Sequence, residues 1–143
     1  KYISTSATSS TAAAITAVPG ASEVFDGGLC TYAEVQKVAL LGVSPKTLAE
    51  HTAVSEACAV EMARGARERM DADIAVSVTG YAGPDGGADG TPVGTVCFGI
   101  SSCWGDRSLT RVFHTGGSMA RAINRTRATK EALFQLLREA RRF

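Results

Sequence analysis

The sequence predicts one α/β domain in which helices pack on a mixed β-sheet. Two observations predict it. Strand-like and helix-like segments alternate in the early part of the chain, and two further strand segments then follow one another closely, as in a hairpin. The 143 residues are 45% hydrophobic, which suits one buried core better than two. We therefore expect residues 1–143 to form a single domain.

The chain opens with a strand, a short helix, a second strand and a second helix. Residues 1–6 alternate as in a strand, and a Ser/Thr run then leads into a short helix at 12–15, which the residues at 18–20 end. Residues 27–32 predict the second strand. Residues 34–41 predict a helix that ends at the following glycine.

Two further helices are marked by their N-terminal residues. A serine before a proline predicts the start of a short helix over residues 44–51. Ser55 is predicted to cap a longer helix, in which Cys58, Met62 and Ala66 form one apolar stripe and the charged residues fall largely outside it.

The last part of the chain predicts three strands and a long amphipathic helix. Strand patterns cover residues 73–79, 93–101 and 109–115, and the turn at 104–107 is predicted to join the last two as a hairpin. In the final helix, apolar residues recur with helical spacing and are expected to pack on the sheet. They are Leu133, Leu136, Leu137 and Ala140.

The formal net charge is only +1, but the basic residues are concentrated near the C-terminus. From Ser118 to Phe143 there are seven basic residues against two acidic ones: Arg121, Arg125, Arg127, Lys130, Arg138, Arg141 and Arg142. The low net charge argues against nucleic acid as a partner. The basic helix is either a solvated face or a contact for a phosphate-bearing ligand or an acidic surface.

The cysteines and the apolar segments indicate the compartment. Cys30, Cys58, Cys97 and Cys103 show no CxxC pair and no disulfide-dense spacing, so we expect an intracellular, reducing compartment, either cytoplasm or an organelle matrix. No apolar run approaches a membrane span and no signal-peptide pattern is visible, so no membrane partner is expected. Because the chain starts at a lysine and enters a strand at once, we expect an N-terminal segment to be missing.

A glycine-dense loop, residues 80–87, directly follows the strand at 73–79. Glycines leave backbone N–H groups uncovered where a sheet ends, which suits an anionic ligand. A small-molecule site is therefore the first functional hypothesis. Asp85 in this loop is either a turn residue or a cation ligand. His51 and His114 are isolated, and no metal site is predicted.

Tyr32 and Lys37 stand five residues apart across a strand-to-helix junction, so both could lean over the sheet end near residues 80–87. A lysine partly desolvated there would have a lowered pKa and could act as a general base, with the tyrosine hydroxyl relaying a proton. The alternative is that Tyr32 packs in the core and Lys37 lies on a solvated helix face.

Hydroxyl groups crowd the end of the first strand. Six of the seven residues from 4 to 10 carry one: Ser4, Thr5, Ser6, Thr8, Ser9 and Ser10. Backbone N–H groups at the following helix start can hold a phosphate or an oxyanion, and a nearby hydroxyl can act as a nucleophile. The alternative is a polar entry segment that does no more than cap the helix.

Several segments together resemble the CinA C-terminal domain family in order and in spacing. They are Thr31-Tyr32, Lys37, Gly42-Val43, residues 53–55, residues 79–87 and residues 92–96. The resemblance covers nearly the whole chain. It implies a three-layer α/β/α domain with a mixed sheet of about five strands, often self-associating. It also implies nicotinamide mononucleotide deamidase activity without a cofactor, in which a serine nucleophile assisted by a lysine and a tyrosine releases ammonia from the carboxamide.

Carried over residue by residue, the resemblance assigns the catalytic and binding roles. Tyr32 and Lys37 match the family's tyrosine and lysine, and Ser6, or Thr5 if no gap is allowed, stands in the nucleophile's place. The implied substrate contacts are Thr8, Gly83, Pro84, Asp85, Gly86, Gly87 and Arg125.

The chain departs from the family pattern at three places. After the first strand the family has a Glu-Ser-Cys/Ala-Thr-Gly-Gly turn, which residues 5–10 of this chain do not match. Before the last helix the family has a Gly-Asp-Arg turn, which residues 116–119 do not match, so that Arg121 or Arg125 would have to take the place of its arginine. The helix that usually precedes the first strand is also absent. These departures leave two functions open. The chain is either an amidohydrolase acting on a small nucleotide or a catalytically impaired relative, as a homo-oligomer or as a structural or binding subunit of a larger assembly.

Overall fold

The computed structural model describes the backbone of residues 1–6 and 9–143, and the side chains of residue 1 and residues 9–143. Within these ranges the chain forms five strands and five α-helices. In chain order they are β1 (Tyr2–Ser6), α1 (Ser10–Thr16), β2 (Phe25–Cys30), α2 (Glu34–Leu41), α3 (Pro45–His51), α4 (Glu56–Arg69), β3 (Ile74–Gly80), β4 (Thr95–Ser102), β5 (Gly105–Val112) and α5 (Ala120–Ala140). A short 3-10 helix at Ala21–Glu23 precedes β2.

The five strands form one mixed sheet in the order β2-β1-β3-β4-β5. The first three are parallel, while β4 and β5 continue the sheet as antiparallel strands. The predicted mixed sheet is therefore confirmed. The parallel strands end together at one edge, which is where open α/β sheets bind ligands.

Helices cover both faces of the sheet, so the predicted three-layer α/β/α arrangement is confirmed. Along β3, side chains alternate between the faces, with Ile74, Val76 and Val78 on the side of α5. On the opposite face Ala75 packs with α4 through Met62 and its neighbours.

Small residues bring α4 close to the sheet. A Cβ atom added at Gly99 would lie 2.1 Å from the carbonyl oxygen of Ala59 in α4. The Ser77 hydroxyl donates to that same carbonyl at 2.5 Å, and the Gly99 amide donates to Ser77 Oγ at 3.1 Å. The buried hydroxyl is satisfied as both donor and acceptor, so a polar residue is tolerated in this layer.

The predicted helix ends are confirmed by their capping contacts. Helix α2 ends at Gly42, whose φ of +69° is the left-handed conformation that glycine adopts readily. Ser44 Oγ accepts from the Lys46 amide at 3.2 Å, and Ser55 Oγ accepts from the Cys58 amide at 3.1 Å. Each serine satisfies one amide that the helix itself leaves unpaired.

Two predictions about the C-terminal part are wrong in detail. Ser102 pairs with Gly105, so a two-residue turn joins β4 to β5, which begins four residues before the predicted 109. In α5 the side chain of Leu137 is 49% exposed, whereas Ala128, Ala132 and Leu136 form the buried face. The face of α5 that packs on the sheet therefore contains Ala128, Ala132 and Leu136, and Leu137 lies outside it.

Within the described residues, no helix has both the length and the apolar character needed to cross a bilayer.

Candidate functional site

The parallel strands bring the candidate site residues to one edge of the sheet. The register pairs Ser6, the last residue of β1, with Cys30 at the end of β2 and with Val78 near the end of β3. Neighbouring strands lie about 4.8 Å apart. The segments that leave this edge, Thr31-Tyr32 and the loop over residues 81–87, therefore start close to the end of β1.

Lys37 is buried at this edge, with 2% of its surface exposed. It lies on α2 one turn before the buried Leu41, so both residues belong to the face that packs inward. Its ammonium group donates a hydrogen bond to the carbonyl oxygen of Thr31, directly after β2. The solvated helix face considered above is therefore wrong for Lys37.

The surroundings of Lys37 make its ammonium group easier to deprotonate. Burial lowers the pKa of its ammonium, and the nearby Cys58 thiol and Glu34 carboxyl oppose this shift without cancelling it. The same burial raises the pKa of the Cys58 thiol to about 11. A lowered pKa makes this lysine better suited than an exposed one to accept a proton from a substrate or a neighbouring hydroxyl.

Tyr32 occupies a different environment from Lys37. Its side chain is 74% exposed, so the alternative in which it packs in the core is wrong. Because Lys37 is buried and Tyr32 faces solvent, the structure does not bring the phenol and the amine into one enclosed pocket.

The predicted nucleophiles fall outside the described side chains. The backbone of Thr5 and Ser6 belongs to β1, but their side chains, and Thr8 as a whole, lie outside the residues that the structure describes. What the structure does establish is that the Ser6 backbone ends β1 next to Cys30, one residue before the carbonyl that Lys37 contacts.

The glycine-rich loop is held partly by its own hydrogen bonds. The Gly87 amide donates to the Thr91 carbonyl at 2.8 Å, and the Asp89 carboxylate accepts from the Thr91 amide at 3.0 Å and from its hydroxyl at 2.7 Å. A Cβ atom at Gly86 would lie 2.3 Å from the Thr91 carbonyl oxygen. These glycines are therefore required by the folding of the loop itself, and the amide of Gly87 is already in use.

Other amides of the loop keep their donors free. The amides of Asp85 and Gly86 make no hydrogen bond to any residue that the structure describes. Pro84 and Asp85 are exposed. Residues 85–86 thus present backbone N–H groups suited to an anionic oxygen. Over the described ranges, no group of three or more His, Cys, Asp or Glu side chains is placed to hold a metal ion.

The two candidate arginines make different contacts. Arg125 is exposed, and its guanidinium donates to Ser10 Oγ at 3.3 Å, beside a groove of about 480 Å³ between α1 and α5. Arg121 instead donates to the carbonyl oxygen of Gly83 at 2.6 Å. Arg121 is thus the arginine that contacts the glycine loop.

Two polar residues that were not predicted as site residues hold this edge together. Asn124, which is wholly buried on α5, donates from its side-chain amide to the carbonyl oxygen of Ala82 at 3.0 Å. The Thr79 hydroxyl donates to the carbonyl oxygen of Ala53 at 2.8 Å, which ties the segment before α4 to β3. An asparagine in helical register with the apolar face of α5 was the sequence signal for the first of these contacts.

Known proteins resemble this chain over most of its length. A model of the CinA C-terminal domain matches residues 4–140. A CinA-like protein of Chlorobium limicola is 48% identical over 125 residues, which cover 85% of this chain and 29% of that protein. A CinA-like protein of Mycobacterium leprae is 43% identical over 129 residues, covering 90% of this chain and 29% of that protein. The chain therefore spans less than a third of the length of these curated relatives.

Solved structures share the fold. A CinA superfamily protein of Klebsiella pneumoniae superimposes with a TM-score of 0.91 at 34% identity, over 100% of this chain and 88% of that one. A CinA superfamily protein of Escherichia coli gives a TM-score of 0.87 at 34% identity, over 96% of this chain and 78% of that one.

Proposed function

The chain belongs to the CinA C-terminal domain family, and we propose that it is a nicotinamide-nucleotide amidohydrolase that converts nicotinamide mononucleotide to nicotinate mononucleotide and ammonia. The observation that carries the proposal is Lys37. Its amine is buried at the sheet edge where β1, β2 and β3 end, and its pKa is lowered by that burial. Lys37 forms no ion pair within 4.0 Å among the described residues, and a buried lysine without one is costly to keep for stability alone, which favours a chemical role.

In the proposed reaction Lys37 acts as the general base. It takes the proton of the Ser6 hydroxyl, or of Thr5, as the hydroxyl oxygen attacks the carboxamide carbon. The tetrahedral intermediate then breaks its C–N bond, and the protonated Lys37 returns the proton to the leaving ammonia. Water hydrolyses the resulting ester to the carboxylate and restores the hydroxyl.

The glycine loop and the tyrosine complete the proposed site. The amides of residues 85–86 hold an anionic oxygen of the ligand, either on the phosphate or on the intermediate. Tyr32 relays a proton on the solvent side of the site. No cofactor takes part, since each step is a proton transfer or an acyl transfer.

A second candidate function has one observation in its favour. The 74% exposure of Tyr32, apart from the buried Lys37, suits a family member that keeps the fold and has lost catalysis. Such a chain would serve as a structural or binding subunit of a larger assembly or as a homo-oligomer. Four exposed apolar residues of α5 and the turn before it support an interface: Met119, Ile123, Phe134 and Leu137. An intracellular, reducing compartment fits either function.

The experiment that separates the two functions measures ammonia release from nicotinamide mononucleotide. We expect turnover by the purified protein and a loss of about 10²- to 10⁴-fold in Lys37→Met. Lys46→Met, which removes a lysine side chain that is 79% exposed, is the matched control and should retain activity. Comparing Ser6→Ala with Thr5→Ala identifies the nucleophile. Turnover no higher than that of Lys37→Met, together with no binding by calorimetry, would leave the subunit function.

A further inference from the structure

Two side chains of α5 hold consecutive carbonyl groups of the glycine loop. Asn124 donates to Ala82 and Arg121 donates to Gly83, at 3.0 and 2.6 Å. The two residues lie three apart, so they share one face at the start of α5. The first turns of this helix therefore act as a support for the loop.

Asn124 occupies a position where an apolar residue would be more stable. It lies four residues before Ala128 and eight before Ala132, in the buried face that packs on the sheet. Its Oδ1 atom is buried and has no hydrogen-bond partner among the described residues. A buried side-chain amide with an unpaired oxygen costs stability compared with an apolar side chain. What the asparagine provides in return is its hydrogen bond to the Ala82 carbonyl.

The Asn124 bond fixes which way one loop amide points. In a trans peptide the carbonyl and the following N–H point in opposite directions. The cis peptide of this loop is the next one, Gly83–Pro84, so the Ala82–Gly83 unit is trans. With the Ala82 carbonyl held towards α5, the N–H of Gly83 points away from α5. Helices α2 and α4 pack on the face of the sheet opposite to α5.

We propose that Asn124 is a positioning residue, which holds the Ala82–Gly83 peptide so that the Gly83 amide and the free amides of residues 85–86 face the ligand. The assignment of a ligand to this loop rests on the proposed function, whereas the control of loop geometry by Asn124 does not. Arg121 supports the same loop through its hydrogen bond to the Gly83 carbonyl. The loop amides are hydrogen-bond donors, so the ligand group that they would contact is an oxyanion or a phosphate oxygen.

The test compares Asn124→Leu with Gln135→Leu. Both changes remove a buried amide from α5, but Gln135 lies about 16 Å further along the helix. The measurements are amide hydrogen exchange over residues 81–87, thermal melting, and kcat and KM for nicotinamide mononucleotide. Asn124→Asp is the second variant, because it keeps the size and replaces the donor by an acceptor facing the Ala82 carbonyl.

For Asn124→Leu we expect exchange in residues 81–87 to rise at least about tenfold, while the melting temperature stays equal or increases. Asn124→Asp should loosen the same amides, and Gln135→Leu should leave them as in the wild type. Catalytic efficiency should fall about 10- to 100-fold, mainly through kcat if the amides contact the transition state. If loop exchange is faster in the Asn124 variants but neither the wild type nor any variant turns over nicotinamide mononucleotide, the positioning role stands and the proposed function is wrong. Unchanged loop exchange in both Asn124 variants would overturn the positioning role.

Discussion

Replacing Lys37 by methionine tests whether a buried amine sets the chemistry of this site. Lys37 is 2% exposed and bonds to the Thr31 carbonyl. Methionine keeps much of the apolar stem and removes the ionisable group. At neutral pH the variant should be at least as stable as the wild type, because one hydrogen bond offsets only part of the cost of burying an ammonium. It should also lose activity, which is the usual relation between stability and function at an active site.

The pH dependence gives the quantitative part of this prediction. In the unfolded chain Lys37 titrates near 10.5, and in the folded protein burial lowers its pKa. Between these two pKa values the unfolded state binds more protons, so the free energy of unfolding of the wild type rises with pH relative to the variant. The slope of that difference approaches about 1.4 kcal/mol per pH unit inside the window. Below the folded pKa, where both states carry the proton, the slope is zero.

Urea unfolding from about pH 7 to about pH 10.5 measures this difference directly. Other groups titrate in the same range, but they are common to both proteins and cancel when the two curves are subtracted. Lys46→Met controls for the loss of one positive charge, since the side chain of Lys46 is 79% exposed. Parallel curves for the wild type and Lys37→Met would refute the argument that burial lowers the pKa of Lys37.

Three further predictions concern packing, a buried ion pair and thiol reactivity. Gly99→Ala should lower the free energy of unfolding by about 2 kcal/mol or more in urea titrations, because the new Cβ would lie 2.1 Å from the backbone oxygen of Ala59. Arg107→Met should cost about 1.5 kcal/mol of stability, since it removes the guanidinium 3.3 Å from the buried Glu139 carboxylate, which keeps Arg142 at 3.2 Å and the Ser102 hydroxyl as partners. A thiol reagent should modify two cysteines of the native protein and all four after denaturation, because two are exposed and two are buried. The exposed pair is Cys30 and Cys103, and the buried pair is Cys58 and Cys97.

Each of these has a control within the chain. Gly116→Ala places its Cβ in open space and has no left-handed φ, so it separates the clash at Gly99 from the general effect of losing a glycine. Replacing Glu139 together with Arg107 by apolar residues should cost less than Arg107→Met alone if the penalty comes from a buried carboxylate that keeps only Arg142 as its ion-pair partner. Equal labelling of all four thiols in the native protein would contradict the burial of Cys58 and Cys97.

Helix ends were predictable from the sequence because capping is a short-range interaction. Ser44, Gly42 and Ser55 satisfy or end the backbone within a few residues of themselves, and the structure confirms all three. Strand segments were likewise predictable from alternation. Their boundaries moved where pairing with a neighbour decided them, as in β5, which begins at Gly105 because Gly105 pairs with Ser102.

The buried face of α5 was not predictable from apolar spacing alone. Leu136 and Leu137 fit the same helical pattern, but only Leu136 packs on the sheet. The helix is turned so that Gln135 also faces inward, where Arg107 donates to it at 2.7 Å. A bond between residues 28 positions apart leaves no periodic signal in the sequence.

The sequence by itself determined the family, the α/β order of the elements, and the presence of a tyrosine and a lysine around one strand-to-helix junction. Only the tertiary structure decided that Lys37 is buried and Tyr32 exposed, and that Asn124 and Arg121 hold the glycine loop. The physical reason is that the solvation of a side chain depends on the element that packs over it. Here that element comes from a distant part of the chain: α4 carries Cys58 beside Lys37, and α5 lies against residues 82–83.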